Sequence, residues 1–211
     1  MYRDETEIIS CEVEENYQTE IQKVEGLSAS KSDLSKFESL DELVETNSRE
    51  MIDSILQQNL RHSEIRIIHM KGIDCFVTYS WDSKSRLFLS NSGGSHHFSA
   101  ARYIASRIDE KVPLNGKLLR YYIDRIKLAT FLDSGWLYVF SNEEWHYFHQ
   151  AMEKYLPNIH FRLFNIPHCS SAVEEQVAVL LPDSPKIKKV QNKLDSAGFF
   201  NLSSYLYSVS H

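Results

Sequence analysis

Gly93, Gly94, Ser95, His96 and His97 place two positions without side chains, a hydroxyl and two imidazoles just after the strand-like run at residues 86–90 and the polar pair Asn91-Ser92. A strand, a glycine-rich turn and a helix start in that order make an anion site. Glycine lets backbone N–H groups face a ligand with no Cβ in the way, and the N–H groups of a helix's first turn carry partial positive charge. Ser95 is expected to cap the helix when the site is empty and to donate its hydroxyl to a bound phosphate. Arg102 lies less than two turns on and reaches back to phosphate oxygens if the helix rotation suits. The expected binding residues are therefore Gly93, Gly94, Ser95, His96, His97 and Arg102, with Ser95 and His96 as the catalytic pair of an enzyme.

The same turn has a second chemistry. Gly93, any residue, Ser95 between a strand and a helix is the frame of a serine nucleophile elbow, and Asp133 or Asp183 with His168 would complete a triad. His97 is bulky where an elbow has a small residue. Glu143, His146, His149 and Glu153 recur at a spacing that can aim ligands at one metal. They flank the apolar stripe Trp145, Phe148, Met152 and have no matching second pair, so no metal is expected. Cys75, inside an expected strand, reads as an inert buried thiol. Lys186, Lys188, Lys189 and Lys193 are most simply the solvated face of a helix; with Arg120, Arg125 and Lys127 they would form a basic rim for a polyanion.

Residues 93–101, Gly-Gly-Ser-His-His-Phe-Ser-Ala-Ala, resemble the nucleotide-phosphate motif of the ParB/sulfiredoxin superfamily, which runs Gly, any residue, His, Arg, an apolar residue, any residue, Ala, Ala. The resemblance covers about 30 residues, including the hairpin at 76–90. It implies that Gly94 and His96 hold nucleotide phosphate. His97 stands where the family has arginine, exchanging a permanent two-pronged donor for a group charged only when protonated. Ser95 stands where sulfiredoxins have their cysteine, and a hydroxyl cannot form the sulfur-linked intermediate, so sulfinic acid reduction is disfavoured. The upstream Asn-Pro-Arg segment of ParB proteins has no counterpart, which argues against a CTP clamp.

The elements that must position this turn are mixed. Leu34, Phe37, Leu40, Leu43 and Val44 recur at helical spacing, and Asn47 with Glu50 predicts a second helix through Leu56. Residues 65–70 and 73–81 are rich in β-branched and aromatic residues and predict strands, the second turning at 82–85 into 86–90. An Ala-rich helix with His97, Ala101, Ile104 and Ile108 on one stripe follows the glycines. Leu118, Leu119, Tyr122, Ile123, Ile126 and Ala129 predict another. Strands at 136–140, 159–166 and 177–181 alternate with a helix capped by Ser141 and Glu144 and one opening at Ser184-Pro185 and ending by Gly198. The fold class is α/β or α+β, a small central sheet with flanking helices, compatible with a ParB/sulfiredoxin-like core carrying extra helices.

Composition bounds these readings. With 211 residues and 42% hydrophobic content the chain can bury a core, which excludes a wholly disordered or collagen-like protein. Its three cysteines are far apart and form no CxxC pair, and no run approaches about 18 uncharged apolar residues. The N-terminus is acidic where a signal peptide is basic, so a cytoplasmic protein with no membrane contact is expected. Residues 1–50 carry 14 acids against 5 bases, while the remainder has a small basic excess. Residues 1–30 therefore read as a disordered acidic arm, 31–62 as a helical extension and 63–211 as the mixed domain. The arm would contact a partner protein or cover a basic face; nucleic acid is not favoured.

Together these features point to a phosphate- or nucleotide-binding protein, in enzymatic form a phosphoryl-transfer or nucleotide-hydrolysing one using ATP or another nucleotide with Mg2+. The alternatives are a non-enzymatic regulatory or protein-interaction module and a serine hydrolase with Ser95 as nucleophile.

Overall fold

A computed structural model describes residues 8–52, 74–165 and 175–211. The expected strand at 65–70, the end of the helix predicted through Leu56, and His168 lie outside the described residues. The class is mixed α/β: the described residues form six α-helices, a five-stranded mixed sheet and a four-stranded antiparallel sheet. The chain divides into two units, Cys11–Tyr122 and Met1–Ser10 with Ile123–His211.

The first unit holds the five-stranded sheet: β1 Ile9–Glu20, β2 Val24–Leu27, β3 Asp74–Tyr79, β4 Leu87–Leu89 and β5 Pro113–Ile123, in the order β1-β5-β3-β4-β2. β3 and β4 are antiparallel; β2 runs parallel to β4, and β3 parallel to β5. Helices α1, Leu40–Asn47, and α2, Ser95–Arg107, pack together and share a core with the sheet. Small residues at Ala100, Ala101 and Ala105, all fully buried, let α2 lie close, while Phe98 and Ile104 fill the space beside Phe76, Leu89 and Leu118.

Three expectations about the elements of this unit are corrected. Residues 9–27, read as part of a disordered arm, are strands β1 and β2 and the 3-10 turn Ile21–Lys23. Ile21, Val24 and Leu27 are buried, and Tyr17 packs edge-on against Phe76. The acids that suggested solvation lie across from bases on β5: Glu14 with Arg120 at 2.7 Å and Glu15 with Lys117 at 3.1 Å. Being exposed, each pair contributes about 0–1 kcal/mol, so the apolar side chains hold this segment.

The second correction is β5, predicted as a helix from the spacing of Leu118 to Ile123. Leu114, Gly116 and Leu118 alternate inward, and the strand pairs with β3 from Asp74 opposite Gly116 to Tyr79 opposite Tyr121. A Cβ at Gly116 would stand 2.0 Å from the Asp74 carbonyl oxygen, so this close approach needs glycine. Only the end of the predicted segment is helical, as α3, Arg125–Leu132, capped by the Asp124 carboxylate. The helix predicted from Asn47 begins instead as a single 3-10 turn, Arg49–Met51, with no side-chain cap.

In the second unit β6 Gly135–Ser141, β7 Arg162–Asn165, β8 Gln176–Pro182 and β9 Phe200–Asn201 form an antiparallel sheet ordered β7-β8-β6-β9. α4, Asn142–Tyr155, begins with the expected capping box of Ser141 and Glu144. α5, Pro185–Ser196, begins at the Ser184 cap with proline in its first turn, and the chain leaves it through Gly198 at φ 81°. A short helix, α6, Leu202–Ser208, follows β9. Phe140 is fully buried among Trp145, Phe148 and Phe199, with ring centroids 4.9–6.2 Å away. Among the described residues no helix is long and apolar enough to cross a membrane.

Candidate functional site

The β3–β4 hairpin delivers the glycine turn. Asp82 accepts from the Arg86 guanidinium at 2.9 and 3.2 Å and from the backbone N–H groups of Lys84 and Arg86. The Arg86 hydrogen bond holds the Asp82 carboxyl down at about 2. Beyond β4, Asn91 ties two segments together. Its amide group accepts from the Ala29 N–H at 3.1 Å and donates to the carbonyls of Ala29 and Gly93 at 2.8 and 2.9 Å. Residues 28–32 are thereby laid along the turn.

Gly94 is the N-cap of α2, in the left-handed region at φ 69°, ψ 13°. Ser95 was expected in that place and is instead the first helical residue; glycine takes the left-handed conformation without the steric cost a Cβ brings. The first intrahelical bond runs from Phe98 N–H to the Gly94 carbonyl at 2.9 Å, so the N–H groups of the first turn lie ahead of it. Gly94 offers them no side-chain acceptor.

This helix start opens on a cavity of about 820 Å³. Its walls are residues 92–97 on one side, 29–31 on another, and Asn47, Ser48, Glu50 and Met51 at the end of α1 and the turn after it. Hydroxyls dominate the polar lining. Ser95 Oγ, in a residue 4% exposed, lies 3.0 Å from Ser30 Oγ, which also accepts from the Ser32 N–H. His96 stands between two serines, its Nδ1 2.5 Å from Ser48 Oγ and its Nε2 3.1 Å from Ser32 Oγ. Asn47 donates to Ser32 Oγ at 2.9 Å.

Of the expected site residues, Gly93, Gly94, Ser95, His96 and His97 all line this cavity. Arg102 does not: its Nε donates to the Val24 carbonyl at 2.7 Å and its guanidinium pairs with Asp41, which fastens α2 to β2 and α1. Ser30, Lys31, Ser32, Asn47, Ser48 and Asn91 were not read as site residues from sequence. The serines around residue 30 read as a linker and Asn47 as a helix cap, and no local spacing ties either to residue 96.

The acid, histidine and lysine candidates beyond residue 123 belong to the other unit. Asp133 and Asp183 belong to the unit Ile123–His211 and Ser95 to Cys11–Tyr122. On α4, His146 contacts Gln150 at 2.9 Å and His149 lies 3.9 Å from Glu153. Among the described residues no group of three or more His, Cys, Asp or Glu side chains is placed to hold a metal ion. Lys186, Lys188, Lys189 and Lys193 are exposed on α5.

No curated protein and no solved structure matches the chain. Residues 14–211, which take in the whole cavity, match the model of DUF6685, a family of unknown function, and the chain belongs to that family.

Proposed function

We propose that the protein binds a phosphate-bearing small molecule, a nucleotide first among them, in the cavity at the start of α2. One observation carries the reading: a 13-residue helix with no side-chain cap opens into a space of about 820 Å³ that has Lys31 and several hydroxyls on its wall. Cavities of roughly 300–1,000 Å³ suit small ligands. Helix N–H groups, a lysine and serine hydroxyls are the donors phosphate oxygens accept from. The local resemblance of residues 93–101 to the ParB/sulfiredoxin phosphate motif supports the same assignment.

Glu50 on the wall repels a bare phosphate. Mg2+ reconciles the two, since it is commonly held by one or two carboxylates together with substrate phosphates. ATP or another nucleotide with Mg2+ is therefore the preferred ligand, in a cytoplasmic setting that would keep Cys11 and Cys75 reduced. Full-length protein should melt at higher temperature with ATP, ADP or CTP plus Mg2+, and less so with Mg2+ alone. A flat response across nucleotides, phosphosugars and inorganic phosphate would remove this function and leave a protein-interaction module as the better reading.

A further inference from the structure

Ser48 is 2% exposed, yet it lines the cavity with its hydroxyl 2.5 Å from His96 Nδ1. Ser95 and Ser30 face each other and have no base between them, whereas Ser48 has an imidazole. The opposite ring nitrogen meets Ser32 Oγ, itself held by the Asn47 amide. A hydroxyl, an imidazole and a polar group that fixes the ring's far side are the parts of an activated nucleophile.

We propose that Ser48 is a nucleophile and His96 its general base, and that the pair transfers a phosphoryl group from a phosphate monoester or nucleotide through a phosphoserine. The proposal rests on the phosphate-binding reading of this cavity and adds the covalent step. With the ring hydrogen on Nε2 and donated to Ser32 Oγ, Nδ1 is free to take the Ser48 proton. Ser48 Oγ then forms the bond to phosphorus, and the bond from phosphorus to the leaving oxygen breaks with its electron pair on that oxygen. The leaving oxygen receives the proton from Nδ1. Water attacks the phosphoserine, giving a proton to Nδ1; the P–Oγ bond breaks and Ser48 recovers its proton. The balance is phosphate monoester plus water giving alcohol plus phosphate. His96 also sits in the first turn of α2, so the N–H groups there border the place where charge on the transferred group develops.

The test uses full-length protein with acetyl phosphate and p-nitrophenyl phosphate, two small reactive donors, each with Mg2+, followed by acid quench and peptide mapping. A phosphoryl group on Ser48 is expected, absent in Ser48→Ala, with formation slowed about 10²-fold or more in His96→Asn. Label on Ser30, Ser32 or Ser95 in place of Ser48 would overturn the assignment. Nucleotide-induced thermal shifts are read on the same wild-type sample. A shift without label on Ser48 overturns the dyad and leaves the binding function standing; absence of both overturns the two together. Should Ser48→Ala fail to fold, the wild-type map and Ser48→Cys, expected to carry the phosphoryl on sulfur, decide the outcome.

Discussion

Around Phe140, in the unit Ile123–His211, rings fill the core; around His96, in the unit Cys11–Tyr122, serine hydroxyls line a cavity of about 820 Å³. The helix starts differ in the same sense. Every described α-helix except α2 has a side-chain cap, supplied by Ser39, Asp124, Ser141, Ser184 and Asn201. In the second unit the Ser203 hydroxyl serves the backbone and the Tyr138 hydroxyl a carboxylate. The Ser203 hydroxyl accepts the Leu137 N–H at 2.7 Å, and the Tyr138 hydroxyl donates to Asp195 at 2.7 Å; burial, aided by that bond, pushes the phenol well above its ordinary range. Around His96 the serine hydroxyls and the imidazole partner chiefly other side chains, beside an open space. Where buried polarity does not serve the fold, function is the better account of it.

The contrast can be broken most forcefully at Phe140. Phe140→Ala is expected to cost about 3–5 kcal/mol, because a fully buried ring with three ring neighbours leaves a cavity that the sheet cannot collapse into. Chemical denaturation gives the loss, and hydrogen exchange locates it in peptides of β6 and α4. A cost under about 1 kcal/mol would mean that the ring cluster does not anchor this unit.

Two buried serines offer the same contrast with one chemistry. Ser203→Ala strips the Leu137 N–H of its acceptor in a buried strand and should cost about 1–3 kcal/mol. Ser99 in α2 is also fully buried, but its hydroxyl has no partner among the described residues. Ser99→Ala therefore leaves nothing unpaired and should raise stability by up to about 1 kcal/mol. Equal losses in both variants would show that Ser99 is satisfied after all and that buried hydroxyls do similar work in the two units.

Sequence patterns were informative where the determinants are local. Ser141 with Glu144, Ser184 with Pro185 and the turn at 82–85 each lie within four residues of the structure they specify, and each forms as expected. Strand β5 was misread because Leu118, Tyr122 and Ile126 also fit a helical period; what decides it is pairing with β3, about 40 residues earlier. Strand β1 was hidden by charge, since its glutamates answer bases on β5 about 100 residues away. The glycine turn of the candidate site was legible for the local reason that a glycine pair precedes a helix. The serines beside His96 were not, because Ser32 and Ser48 meet it only through long-range packing.

The smallest expected effect is at the hairpin that presents the turn, and it tests whether the cavity unit has its own response to acid. In the unfolded chain an aspartate titrates near 3.9, while the Arg86 hydrogen bond holds Asp82 at about 2. The folded value is the lower one, so the contribution of Asp82 is complete above the unfolded value and is lost as pH falls through about 2. Asp82→Asn removes the charge and keeps one side-chain oxygen, enough for either the Lys84 or the Arg86 N–H, which the two carboxylate oxygens accept separately. The variant should thus be less stable than wild type near neutral pH by under about 1 kcal/mol, a small figure because Arg86 is 42% exposed, and the gap should close at about pH 2. Asp74, at the start of β3, works with the opposite sign: burial raises its carboxyl, and the penalty of holding that charge is relieved as pH falls. Asp74→Asn should accordingly stabilise near neutral pH and lose that advantage in acid. Hydrogen exchange in peptides covering residues 74–90 reads both variants, with β6 peptides as the internal reference. If Asp82→Asn matches wild type at both ends of the range, the Asp82–Arg86 charge pair adds nothing and the backbone bonds alone hold the turn before the cavity.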